Sequence, residues 1–173
     1  MRSIQYLEDL ITRLGRAVAW LLLVMVTLQA AIVLLRYGFD IGSIALQESV
    51  TYLHATTFML GAAFTLQMDG HVRVDIFYRN LGERHKARVD LFGNLVFLLP
   101  LCIVILWTSI DYVAQSWSIR EGSSDPGGIA GVFLLKSLIP LLAGSLLLQS
   151  LASTLRHART IFTSPSNTHS DHA

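Results

Sequence analysis

The chain has 173 residues, of which 53% are hydrophobic and only 14% charged, with a formal net charge of +1. Soluble domains carry about 25% charged residues, so an ordinary soluble globular protein is excluded. Its 13 basic residues are spread along the chain without the dense stripe that nucleic-acid binding needs, which excludes nucleic acid as a partner.

Four apolar stretches follow in chain order, at about 17–35, 44–68, 91–110 and 129–151. A helix crossing ~30 Å of hydrocarbon at ~1.5 Å per residue needs roughly 20 mostly apolar residues. Lipid offers the backbone no hydrogen-bond partner, so each stretch must be helical. The expected fold is an all-α integral membrane protein, with four transmembrane helices and a cytoplasmic interfacial amphipathic helix between helices two and three. Residues 1–163 are expected to form a single four-helix transmembrane domain, and 164–173, short and polar, a disordered cytoplasmic tail.

The first stretch is longer than the roughly 7–15 residues of a signal-peptide core, and no convincing small-residue cleavage pattern follows it. It reads as an uncleaved anchor. Trp20 and Tyr37, like Tyr112 and Trp117 further on, fall near predicted helix ends, where interfacial aromatics sit.

The second stretch is the least lipid-like. Gln47, His54, Gly61 and Thr65 share a stripe with Thr57 beside it, and Glu48 and Thr51 lie next to it near the outer end. Polar and small residues on one face of a membrane helix normally meet other helices, so this helix is expected to be buried in protein, with a larger partner. Glu48 reads as a headgroup-level or subunit-contact carboxylate, with direct ion coupling as the sharper alternative. His54 reads as a packed, hydrogen-bonded histidine, with a haem or metal ligand as the alternative.

In the loop from Asp69 to Asp90, the residues Val74, Phe77, Tyr78 and Leu81 recur at i, i+3, i+4 and i+7. With basic residues following, this is the pattern of a helix lying at the cytoplasmic interface. Val72, Val74 and Ile76 also alternate, which leaves a short extended start open, and Gly82 is placed to break the helix.

Cys102, the only cysteine, sits inside helix three and reads as a small apolar core residue. Pro100 and Pro140, within helices three and four, each remove a backbone donor and predict kinks. Between these helices, Ser118–Gly128 is dense in glycine, serine, aspartate and proline, a turn-rich connection whose spacing fits no calcium loop. Lys136 is expected to snorkel outward from the start of helix four, with no special role.

Orientation follows from charge. Ten of the 13 basic residues fall in the N-terminal tail, the loop between helices two and three, and the C-terminal end; Arg36, Arg120 and Lys136 fall on the other side. Positive residues stay cytoplasmic, so both termini are expected inside. No Walker motif, nucleophile elbow, HExxH or zinc spacing is present, so an enzyme is not expected, and neither is a cofactor or metal.

Several pieces taken together resemble a known family: Arg36-Tyr37, Gln47-Glu48-Ser49, Gly70-His71-Val72-Arg73-Val74-Asp75 directly after a spanning helix, Glu121-Gly122-Ser123, and Lys136-Ser137-Leu138-Ile139-Pro140. Their order and spacing resemble the small membrane subunit (DctQ-type, Q component) of TRAP, or tripartite ATP-independent periplasmic, transporters. The resemblance implies a bacterial inner-membrane, multi-pass subunit that scaffolds a large multi-span membrane subunit. It also implies uptake of an organic acid delivered by a periplasmic substrate-binding protein and driven by an ion gradient, usually sodium. By carry-over, Arg36, Glu48, His71, Arg73, Asp75 and Glu121 become candidates for structural or intersubunit contacts, and His54 joins them from its place on helix two. This chain carries Ser49 where many relatives carry a second acidic residue, which argues against a paired-carboxylate site.

Two rival classes remain. A four-helix membrane cytochrome needs axial ligands around a haem, and His54 is the only histidine well inside a span. An autonomous small membrane transporter or enzyme would have to build a complete path from four helices with few buried polar groups.

Overall fold

The computed structural model describes residues 2–68, 70, 78 and 81–163, and every regular element among them is helical. Helix α1 (Arg2–Phe39) is followed by α2 (Ile44–Gln67). Helix α3 (Glu83–Gly93) passes through a π-helical turn, Asn94–Leu98, into α4 (Leu99–Ser118), and α5 spans Val132–Thr163. The helices outrun the apolar stretches because their polar flanks are rich in good helix formers; the third apolar run, expected from residue 91, continues a helix that begins at Glu83. The break expected at Gly82 is present, with that residue extended at φ −66° and ψ 157° as the N-cap of α3. The interfacial amphipathic helix lies outside the described residues, Tyr78 and Leu81 excepted, and so does the tail.

Among the described residues, three helical segments are long and apolar enough to cross a membrane: Gly15–Phe39, Glu83–Ser118 and Val132–Ile161. Helix α2 has 24 residues, but Gln47, Glu48 and His54 dilute its apolar character.

The helices pack in the spatial order α1, α2, α5, α4. Helix α1 lies along α2, α2 along α5, and α5 along both α3 and α4, while α4 has no substantial contact with α1 or α2 among the described residues. Helix α1 also meets α5 beside α2, and the described helices enclose little interior. Its fully buried apolar positions are mostly small, including Ala63, Ala143, Ala152 and Cys102, and small residues let helices approach closely where lipid supplies no hydrophobic drive. At the α1–α2 seam Gly15 lies against the Phe64 ring, where an added Cβ would collide with ring carbons at 2.5 and 2.7 Å.

The π turn has a local cause. Pro100 has no N–H to give the carbonyl four residues back, and its ring crowds that carbonyl. One wider turn just ahead relieves the crowding, with the Leu99 N–H reaching back to the Asn94 carbonyl. Asn94 is also held from outside its own helix. Its Nδ2 donates to the Ser150 carbonyl and to Thr154 Oγ1, both at 2.7 Å, and its Oδ1 accepts from Ser150 Oγ at 2.9 Å.

Candidate functional site

The densest polar constellation closes the end of the helices opposite the chain termini, hereafter the distal end. Glu48 lies in the second turn of α2, whose start is capped by Ser43 Oγ accepting from the Leu46 N–H at 3.4 Å. Glu48 Oε1 accepts from Ser123 Oγ, and Oε2 accepts from the Ile129 N–H at 2.5 Å. Ser123 Oγ also accepts from the Asp125 N–H at 3.1 Å, and the Ser123 N–H donates to the Ile129 carbonyl at 3.0 Å. The loop before α5 thus folds onto one carboxylate. Gly128 packs so tightly there that an added Cβ would stand 2.7 Å from Glu48 Oε1. Beneath it, the Tyr52 hydroxyl is buried with no hydrogen-bond partner.

A second carboxylate ties α4 to α5. Helix α4 ends with Arg120 in the left-handed region at φ 47°. The Glu121 N–H then reaches the Ser116 carbonyl at 3.0 Å and the Arg120 N–H the Trp117 carbonyl at 3.2 Å, the paired bonds of a Schellman cap. This turn aims Glu121 inward, where Oε2 accepts from Ser116 Oγ at 2.6 Å and from Lys136 Nζ at 2.5 Å. The Lys136 ammonium also stands over the Tyr112 ring, 4.2 Å from its centroid. Hydrogen bonds from Lys136 first, and from Ser116 second, hold the Glu121 carboxyl below its ordinary pKa. Alongside, Trp117 Nε1 donates to Ser137 Oγ at 2.8 Å and the indole meets Phe133 edge-on at 4.7 Å. Two carboxylates therefore fasten α2, α4, α5 and the 119–131 loop into one unit.

The other sequence-derived candidates are placed differently. Arg36 is exposed in the last turn of α1 and lines a shallow polar pocket with Asp40, Ser43 and Gln47. His54 is exposed on α2, stacked on Phe58 at 6.5 Å, and makes no hydrogen bond among the described residues. Gln47 and Thr51 are exposed on the same face. Helices α1 and α5 cover the flanks of α2 and leave this face open among the described residues. His71, Arg73 and Asp75 lie outside the described residues.

Lys136, expected to snorkel outward without a special role, instead pairs with Glu121. Sequence reading also passed over Ser123, Asn94 and Gln149. A lone asparagine or glutamine inside an apolar run is a usable signal, since polar groups at such depth seek partners; Ser123 stood out only within the Glu121-Gly122-Ser123 piece and a turn-rich loop. Among the described residues no group of three His, Cys, Asp or Glu side chains is placed to hold a metal ion.

Comparison with known proteins adds three findings. The family model described as "Tripartite ATP-independent periplasmic transporters, DctQ component" matches residues 22–160. A chloramphenicol efflux pump of Mycobacterium tuberculosis, in two strains, is 33% identical over 70 residues, covering 38% of this chain. That match spans 15% of the pump's own length. No solved structure matches.

Proposed function

This chain belongs to the DctQ component family of the tripartite ATP-independent periplasmic transporters, and on that premise we propose that it scaffolds the large membrane subunit of such a transporter. In this reading α2 is a fourth span, both termini face the cytoplasm, and the protein resides in the bacterial inner membrane. The large subunit moves an organic acid, handed over by a periplasmic substrate-binding protein, at the expense of an ion gradient, most simply sodium. The single observation that carries the scaffold role is the family match over residues 22–160. The exposed faces of α1 and α2 support it, because they leave long surfaces for a partner. Glu48 and Glu121 then act within the scaffold, holding its distal loop in shape, while Arg36, His54, His71, Arg73 and Asp75 remain the proposed contacts to the partner.

The test is uptake in vesicles carrying the large subunit and the binding protein, with and without this chain. Loss of uptake on omission is expected; undiminished uptake without it overturns the scaffold role.

A further inference from the structure

Helix α2 exposes Gln47, Thr51, His54 and Phe58, spaced i, i+4, i+7 and i+11, on one continuous face. Beside this face α1 and α2 form a groove of about 580 Å³, lined by Met25, Val26, Gln29, Val33 and Leu34 of α1 and by Val50 of α2. Val50 stands three residues after Gln47 and four before His54, so groove and stripe open on the same side. Gln29 lies ten residues before the end of α1, and His54 ten residues after the start of α2. At ~1.5 Å per residue both therefore lie ~15 Å from the distal end, about half the depth of a bilayer. The side chains of Gln29, Gln47, Thr51 and His54 make no hydrogen bond among the described residues.

The exposed face of α4 differs. Through its first three turns it presents Leu101, Ile103, Val104, Trp107 and Ile110, and the exposed hydroxyl there, Thr108, is satisfied by the Val104 carbonyl at 2.9 Å. Asp111, Tyr112, Gln115 and Ser118 are exposed in its last two turns, toward the distal end. The 101–110 surface suits acyl chains. Acyl chains have neither donor nor acceptor, so a carboxamide and an imidazole at mid-depth stay unsatisfied against them, at a cost that drives such groups toward polar partners.

We propose that the Gln29–His54 side of the α1–α2 hairpin docks a transmembrane helix of the transporter's large subunit, one bearing side chains that hydrogen-bond these groups, while the apolar 101–110 face of α4 remains in lipid. This rests on the scaffold reading and specifies its interface. Groove and stripe divide the work: the apolar groove seats the helix, and Gln29, Thr51 and His54 fix its register.

The test uses the complex of the full chain with the large subunit. Gln29→Cys, Thr51→Cys, His54→Cys, Val104→Cys and Trp107→Cys are made singly in a Cys102→Ala background and labelled with a thiol-reactive benzophenone, and the complex is irradiated in membranes. Adducts to the large subunit at least tenfold more abundant from Gln29, Thr51 and His54 than from Val104 and Trp107 are expected. Equal or greater yield from Val104 and Trp107 overturns this face while the scaffold reading stands. Adducts confined to lipid or to a second copy of this chain overturn it too. If the unmodified chain brings down no large subunit, the scaffold reading itself fails. Independently, the double variant Gln29→Leu/His54→Leu should lose at least tenfold in co-purified large subunit, with the thermal midpoint of the isolated chain in detergent unchanged; undiminished co-purification overturns the proposal.

Discussion

Glu48, in the second turn of α2, accepts the N–H of Ile129, 81 residues further along the chain, at 2.5 Å. Its other oxygen takes the Ser123 hydroxyl, so both ends of the distal loop hang on one side chain. A carboxylate accepting from a backbone N–H and a hydroxyl makes stronger bonds than a neutral acceptor would.

Glu48→Ala should therefore free the loop while leaving the helices intact. The expected result is a thermal midpoint in detergent lower by on the order of 5 °C, and faster proteolysis within 119–131. Glu48→Gln, which retains one oxygen acceptor, should fall between Ala and the native residue. Protease accessibility unchanged in Glu48→Ala would remove the carboxylate from its clasping role.

Gly128 tests the same clasp through volume. A methyl group at this position meets Glu48 Oε1 at 2.7 Å, whereas one at Gly144 meets nothing within 4 Å. Gly128→Ala is expected to cost about 1–3 kcal/mol through overpacking. Gly144→Ala, inside α5, should be neutral or slightly stabilising. Equal thermal midpoints for the two variants would contradict the packing described here.

The Glu121–Lys136 pair predicts a pH dependence with a definite sign. Lys136, then Ser116, hold the Glu121 carboxyl below its ordinary value of 4.5. A depressed folded-state pKa means that the folded form binds the proton less readily than the unfolded form does. The stabilisation is therefore complete above the ordinary value and is lost as pH falls through it toward the depressed one. Thermal midpoints measured from neutral pH down to about 3 should stay flat and then drop, and Glu121→Gln should shrink the drop. A midpoint that falls already between pH 7 and 6, and does so equally in Glu121→Gln, would assign the dependence to another group.

Two buried amides at the other end of the helices should behave in opposite ways. Asn94 is fully engaged with Ser150 and Thr154, so Asn94→Ala should cost about 1–2 kcal/mol. Gln149 is fully buried, yet its Oε1 has no partner and its Nε2 reaches Ser153 Oγ only at 3.5 Å. Replacing an unsatisfied buried amide by an apolar side chain of similar shape removes a desolvation cost, so Gln149→Met should be neutral or stabilising. Chemical unfolding of both variants in detergent checks the contrast.

The seam between α1 and α2 makes the last prediction. Gly15→Ala should force the Phe64 ring aside and loosen the hairpin, and Phe64→Leu should restore part of the loss. A double-mutant cycle in the thermal midpoint would reveal that coupling; purely additive effects would place the two residues out of contact.

Much of this was legible in the residues alone. Apolar runs of spanning length, with the backbone's need to satisfy itself in lipid, determined an all-helical membrane protein. The order of short motifs from Arg36-Tyr37 to Lys136-Ser137 pointed to the family that the match over residues 22–160 establishes. Gly82 as a helix boundary and Cys102 as a buried core residue followed from local chemistry. Tertiary structure alone decided which polar residues meet. Helical periodicity tells which residues share a face, but not which way that face turns, and so His54 and Gln47 look outward while Glu48, one residue from Gln47, is clasped. Lys136 and Glu121 stand fifteen residues apart across a helix cap, and Asn94 and Ser150 fifty-six apart across two helices. Such pairings depend on how helices settle side by side, where small residues at the seams and unsatisfied polar groups select one arrangement from several that the apolar pattern permits equally.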